Sequence, residues 1–238
     1  MGGDLSGPTV YARPRTPVDY LLALVFAAVA ASIFLFGAEF AFESTGFTGT
    51  QFLLILGAAL LGSYVDIPLW RLKSVRPTVV VREVRAFWVT YRVPQYAMTE
   101  VSTTIALNVG GGLVPLIVSG YLLDTHRGVW FGVLAATVLT SLAVHVVAKY
   151  VEGVGVVAPT LLPPIAAVLF SLPFGGNSLV ITAYIAGTLG TLIGADLLNL
   201  GKISEGGSHV ASIGGAGKFD GIFLTGIVAV IIASLLRA

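Results

Sequence analysis

Asp196 and Asp220 are the two residues of this sequence best placed to do chemistry together. Asp196 sits in "GTLIGADLLNL", near the end of one apolar stretch, and Asp220 in "GGAGKFDGIFLTGIV", at the opening of the next. About ten residues separate the two stretches, so they read as consecutive antiparallel helices whose aspartates meet at similar depth. Asp220 would stand in a first helical turn and Asp196 near a helix C-terminus, where the helix dipoles act on them in opposite senses. Two carboxyls held in unlike environments supply an acid and a base to activate water, which is the requirement of an aspartyl hydrolase. The same pair equally suits a site that binds a cation or relays a proton. Lys218, two residues before Asp220, is able to pair with either aspartate.

A second set of polar residues lies at membrane depth. In "TTIALNVGGGLVPLIV", Asn108 precedes Gly110, Gly111 and Gly112, with Pro115 just beyond. Such a stretch is expected to unwind and turn backbone carbonyls toward a cavity or neighbouring protein, as in the broken helices of transporters. Asp66 and Glu100 stand at the inner ends of their spans. Helix-boundary carboxylates reaching water account for them as readily as a binding site does. Asn199 shares a helical face with Asp196 at the next turn. Ala186, Gly190 and Gly194 at four-residue spacing allow another helix to approach to backbone contact.

The elements that must hold these residues are membrane spans. Charged residues form 11% of the chain and hydrophobic residues 56%, against roughly 25% and 45–50% in soluble domains. Mean hydropathy is +0.93. Windows of about twenty apolar residues predict an all-α, polytopic bundle of about seven spans in one integral membrane domain. The spans fall near 20–42, 50–70, 101–123, 128–149, 153–173, 178–200 and 210–236, after a polar tail over 1–17. A basic, β-branched and aromatic loop over 71–99, "TVVVREVRAFWVTYRVPQY" at its centre, reads as one or two strands on the cytoplasmic face. Trp88 and Tyr91 are expected near headgroups there.

Eleven of the thirteen basic residues then share one side with the N-terminus, leaving only Arg127 and Arg237 on the other. Basic residues concentrate on the cytoplasmic side, so the expectation is a multi-pass protein of the cell membrane with its N-terminus inside. The partners implied are the lipid bilayer and either a membrane peptide substrate or a small ion. The oligomeric state is not legible.

Other chemistries are excluded. The absence of cysteine removes disulfides, thiol catalysis and cysteine-based metal sites, and three scattered histidines do not build a transition-metal centre. "GGAGKFDG" leads into an apolar helix with no preceding strand signal, so it is not read as a phosphate loop. The basic loop lacks the size and pattern of a nucleic-acid module. No metal, cofactor or nucleic acid is expected.

The segments "AYIAGTLGTLIGADLLNL", "VASIGGAGKFDGIFLTGIVAV", "GSYVDIPL" and "IALNVGGGLVPLI" resemble a prokaryotic membrane family catalogued as domain of unknown function 1614. The likeness runs from about residue 50 onward and implies no particular activity. A fainter likeness is to presenilin-like intramembrane aspartyl proteases, whose catalytic aspartates lie on consecutive helices, the second just after a Gly-x-Gly turn. Here Gly215-Ala216-Gly217 precedes Asp220, with Asp196 as partner. This sequence departs from that pattern: Lys218 and Phe219 intervene, Ala195 stands where a tyrosine would precede the first aspartate, and no Pro-Ala-Leu occurs. The leading expectation is an aspartyl-type hydrolase using Asp196 and Asp220. The alternative is an ion or small-solute transporter built around Asn108 and Gly110–112, with Asp66, Glu100, Asn199 and Lys218 contributing.

Overall fold

The stretch "VTYRVPQYAMTEVSTTIALN" alternates β-branched or aromatic residues with polar ones, a period of two rather than 3.6. It forms strand β2 (Val89–Asn108), not the start of a helix. Its antiparallel partner β1 (Asp66–Ala86) pairs with it along its whole length. The computed structural model describes residues 17–86, 88–151, 155–205, 210–215 and 221–237. The chain divides into two units, Met1–Gly37 and Ala38–Ala238.

The described part of the first unit belongs to helix α1 (Pro17–Glu43). Pro17 stands at its first position, where a missing N–H costs nothing. Leu21 to Ala31 are leucine, alanine, valine and phenylalanine throughout, and the Ser32 hydroxyl donates to Ala28 O at 2.8 Å.

The second unit combines a β-ribbon with a helical bundle. Helix α2 (Gly49–Gly62) starts from a capping box: Thr48 Oγ1 accepts from Gln51 N, and Gln51 Oε1 accepts from Thr48 N at 2.8 Å. The β1–β2 ribbon follows, with one extra residue in β1 between Pro68 and Trp70 and its pairing running out to Ala86 opposite Val89. Only its root gains a third strand: β3 (Lys149–Val151) and β4 (Gly155–Val157) pair with each other, whereas β5 (Val210–Ile213) runs parallel to β2, with Thr104 opposite Val210 and Leu107 opposite Ile213. Ile105, Ala211 and Ile213 share one face of this root and join Leu192 and Ile222 in a buried cluster, against which Leu72, Leu107, Leu116 and Leu200 pack.

The bundle consists of α3 (Val114–Thr125), α4 (Trp130–Val147), α5 (Leu162–Gly175), α6 (Leu179–Thr191) and α8 (Gly221–Arg237), with the short α7 (Leu200–Glu205) after α6. α6 is its centre: every residue from Leu179 to Thr188 is buried. A Cβ on Gly187 would lie 3.3 Å from Ala167 of α5 and 3.3 Å from Thr225 of α8, while one on Gly175 would lie 3.5 Å from Thr182. α5 therefore runs antiparallel to α6, and so does α8, whose Ser234 lines one pocket with Val180. Gly190 meets Thr140 and Gly194 meets Ser141, so α4 runs parallel to it.

The structure corrects the expected all-α fold of about seven spans. Among the described residues three helical runs are long and apolar enough to cross a membrane: Tyr20–Glu43, Arg127–Val147 and Leu162–Lys202, the last folding back at Gly176 between α5 and α6. The apolar helices Gly49–Gly62, Val109–Thr125 and Gly221–Arg237 are shorter. The windows 50–70, 101–123, 153–173 and 210–236 straddle helix–strand junctions, because average hydropathy does not distinguish an apolar strand from an apolar helix. The 71–99 loop is the outer part of one ribbon spanning 66–108.

Candidate functional site

Two π-helical turns flank the ribbon root, and each is held by an asparagine. The first, Val109–Leu113, joins β2 to α3. Asn108 Oδ1 accepts from Gly111 N at 2.8 Å, while its Nδ2 donates to Ser63 O at 2.9 Å and to Asp66 Oδ1 at 3.1 Å. Ser212 of β5 donates its hydroxyl to the same Asp66 oxygen at 2.5 Å. Register explains the convergence. Asp66 lies opposite Asn108 on one edge of β2, and Ser212 lies opposite Ala106 on the other, two residues from Asn108 and so on the same face of the sheet. A Cβ on Gly110 would fall on the Ala59 carbonyl of α2, so this turn admits no side chain at that position.

The second π-turn, Leu192–Asp196, continues α6. Such a turn leaves carbonyls without helical partners. Asn199 Nδ2 serves two of them, Gly194 O at 3.1 Å and Ala195 O at 2.9 Å. It also lies 3.3 Å from His145 Nδ1 at the end of α4, which accepts when its proton is on Nε2. Lys202 Nζ donates to Asn199 Oδ1 at 2.9 Å. Asp196, only 9% exposed, accepts from Gly214 N at 2.9 Å.

The Gly214 turn links the two halves. Gly214 adopts φ +75°, in the left-handed region that favours glycine, and its Cα bears directly on Gly112 of the first π-turn. One turn thus bonds Asp196 through its backbone N–H and touches the Gly110–Gly112 segment, while Ser212 two residues earlier reaches Asp66.

The structure brings together Asp66, Asn108 and Gly110–Gly112, and sets Asp196 and Asn199 on the other side of the same turn. Glu100 stands apart: it is an exposed residue of β2, paired with Lys73 at 3.0 Å. Asp220 and Lys218 lie outside the described residues, so the separation of the two aspartates lies outside them as well. Ser212, Gly214, His145, Lys202 and Ser63 were not anticipated. For Ser212 the available signal was the alternation in "VASI" followed by two glycines, which reads as a short strand and turn. Among the described residues no group of three or more histidine or acidic side chains is arranged to hold a metal ion.

These features define a membrane protein in which a β-ribbon roots on a helical bundle through two asparagine-capped π-turns. The chain belongs to the family described as protein of unknown function (DUF1614), whose model matches residues 60–232. That match bears out the resemblance carried by the four quoted segments. No curated protein and no solved structure matches the chain, and the presenilin-like likeness is not shown.

Proposed function

We propose that this protein passes a small ion or polar solute across the membrane through the core of the bundle around α6. The observation that carries this reading is a set of buried, unpaired hydroxyls in the bundle, with a buried carboxylate beyond the end of its central helix. Ser119, Thr137, Thr140, Ser171, Thr182 and Thr191 are each buried, and their hydroxyls have no hydrogen-bond partner among the described residues. An unpaired buried polar group costs about 1–3 kcal/mol. Six in one apolar bundle are expensive as static structure and useful as stepping points for a hydrated or polar species.

Their order along the bundle supports a path. At one end a pocket of about 450 Å³ is lined by His126, Arg127, Phe174, Gly175 and Ser178. Gly175 abuts Thr182, and Ser171 lies one turn before it on α5. Thr140 faces Gly190, next to Thr191, and Ser141 faces Gly194, two residues before Asp196. At 1.5 Å per residue, Thr182 and Asp196 are about 21 Å apart. Backbone carbonyls and acids at the two π-turns, Asp66 at one and Asp196 at the other, are of the kind that hold cations in broken helices, which supports this reading. The ribbon, with Arg71, Lys73, Arg82, Arg85 and Arg92, then lies on the cytoplasmic side of the cell membrane, since that side retains basic segments.

The test is flux into vesicles containing the purified full chain, read with an internal pH dye and with sodium and rubidium tracers. Asp196→Asn should lower flux by on the order of tenfold, about 1.4 kcal/mol on the barrier. Absence of flux in the native protein, or equal flux in the variant, overturns the reading. Cleavage of a membrane peptide in the same vesicles, abolished by both Asp196→Asn and Asp220→Asn, would favour the aspartyl hydrolase instead.

A further inference from the structure

At the end of the bundle away from the ribbon root, two helices finish together. α1 ends at Glu43 and α8 at Arg237, and both last residues line a pocket of about 390 Å³ with Phe40, Ser44, Val180 and Ser234. That is the size of a small-molecule site, about 300–1,000 Å³. The pocket holds one acid and one base, yet among the described residues neither belongs to an ion pair. Arg127, which lines the other pocket at this end, closes instead on Asp124 at 2.8 Å.

Hydrogen bonding fixes what the lining offers. The Ser44 hydroxyl gives its proton to Ala41 O at 2.6 Å, so in its 3.3 Å contact with Ser234 it accepts. Ser234 thereby spends its own proton, and both oxygens keep lone pairs. With the Glu43 carboxylate, three side chains accept and one, Arg237, only donates. The C-terminal ends of α1 and α8 add the negative ends of two helix dipoles. An occupant that matches this lining brings a cationic centre with several N–H donors and, a short distance away, an anion.

We propose that the pocket holds such a zwitterion, the phosphoethanolamine headgroup of a membrane lipid. Its primary ammonium supplies three N–H donors to Glu43, Ser44 and Ser234, and its phosphate takes the Arg237 guanidinium. A phosphocholine group presents no N–H, and one ring, Phe40, does not make the aromatic cage that a quaternary ammonium needs. A phosphate without an ammonium satisfies Arg237 but leaves Glu43 opposing it. The source is lipid because Glu43 closes an apolar run of 24 residues, Tyr20–Glu43, long enough to cross a bilayer, which sets the pocket at headgroup level. Phe40 beside it is exposed, as a residue against acyl chains is. The site does not depend on transport through the core.

The test is native mass spectrometry of the full chain, purified in detergent and mixed with phosphatidylethanolamine, phosphatidylcholine or phosphatidylglycerol of matched acyl chains. Phosphatidylethanolamine should be retained severalfold more than either other lipid. Glu43→Gln and Arg237→Gln should each bring its retention down to the phosphatidylcholine level. The exchange of Glu43→Arg with Arg237→Glu should recover part of the preference. Both positions are exposed, and thermal midpoints in detergent alone should match that of the native chain. Equal retention of phosphatidylethanolamine and phosphatidylcholine overturns the proposal, as does an unchanged preference when Glu43→Gln and Arg237→Gln are combined. Stabilisation by water-soluble glycerophosphoethanolamine without retention of the lipid also overturns it, and would make a free zwitterion the occupant.

Discussion

Replacing Gly190 by alanine tests whether the α4–α6 contact is set by backbone approach. The new Cβ would lie 2.7 Å from both Cβ and Cγ2 of Thr140 and 3.3 Å from Ser141 N. Carbon atoms pack best at about 3.5–4.0 Å, so the shortfall is about 1 Å. Rotating Thr140 removes Cγ2 from the contact but leaves its Cβ in place, so the helices themselves must separate. Overpacking of this kind costs about 1–3 kcal/mol, whereas glycine to alanine within a helix returns about 1 kcal/mol. Because the helices must separate, the packing term wins, and a net loss of up to about 2 kcal/mol is expected, or several degrees in thermal midpoint for a chain of this size. Gly120→Ala in α3 is the control: nothing lies within 4 Å of its added Cβ, so it should be neutral or stabilising. Thr140→Gly should relieve Gly190→Ala, giving a coupling of about 1 kcal/mol in a double-mutant cycle. Thermal unfolding of the purified variants in one detergent measures all four. If Gly190→Ala is as stable as Gly120→Ala, the close contact of α4 with α6 is not the constraint described here.

Asn108→Ala removes the cap on Gly111 N and the donor to Ser63 O, so two backbone groups lose their partner. A loss of about 2–4 kcal/mol is expected from these groups together, and Asn108→Asp should do no better, because it sets a second carboxylate against Asp66. Denaturant unfolding followed by circular dichroism would show it, and a shift under 1 kcal/mol would refute the capping role. Trp88 adopts φ 67° in the ribbon turn; Trp88→Gly should relieve about 1–2 kcal/mol of left-handed strain. Slower amide exchange in the outer ribbon in detergent would register the gain, and unchanged exchange would deny it.

What the sequence made legible follows from the kind of signal each segment carries. The runs 20–42, 128–149 and 178–200 are uniformly apolar over bilayer length, and helices lie there. The run 101–123 is equally apolar on average, yet "VSTTIALN" is strand and only Val109 onward is helical. A twenty-residue average merges the two, while a count of the alternation would have separated them. Asn108 and the three glycines stood out because their chemistry breaks helices locally. Asp66 could be named but not partnered: its contact with Ser212 spans 146 positions and depends on both residues flanking β2. Glu100 was grouped with the inner carboxylates because a helix was assumed, and strand register carries it instead to Lys73 on the exposed ribbon.

The Gly214 turn gives the bundle and the ribbon a shared mechanical element. Its N–H fixes Asp196 at the end of α6, its Cα rests on Gly112, and the strand entering it anchors Asp66 at the ribbon root. Any substituent at 214 must take a left-handed conformation and displace the Gly111–Gly112 backbone at the same time. A shift of the ribbon root is therefore transmitted to the first π-turn through side-chain bonds and to Asp196 through one backbone bond. A helical capping motif alone would have joined Asp196 only to its own helix. Parallel pairing of β5 with β2 adds the second connection, and ties the carboxylate in the bundle core to the position of the ribbon root.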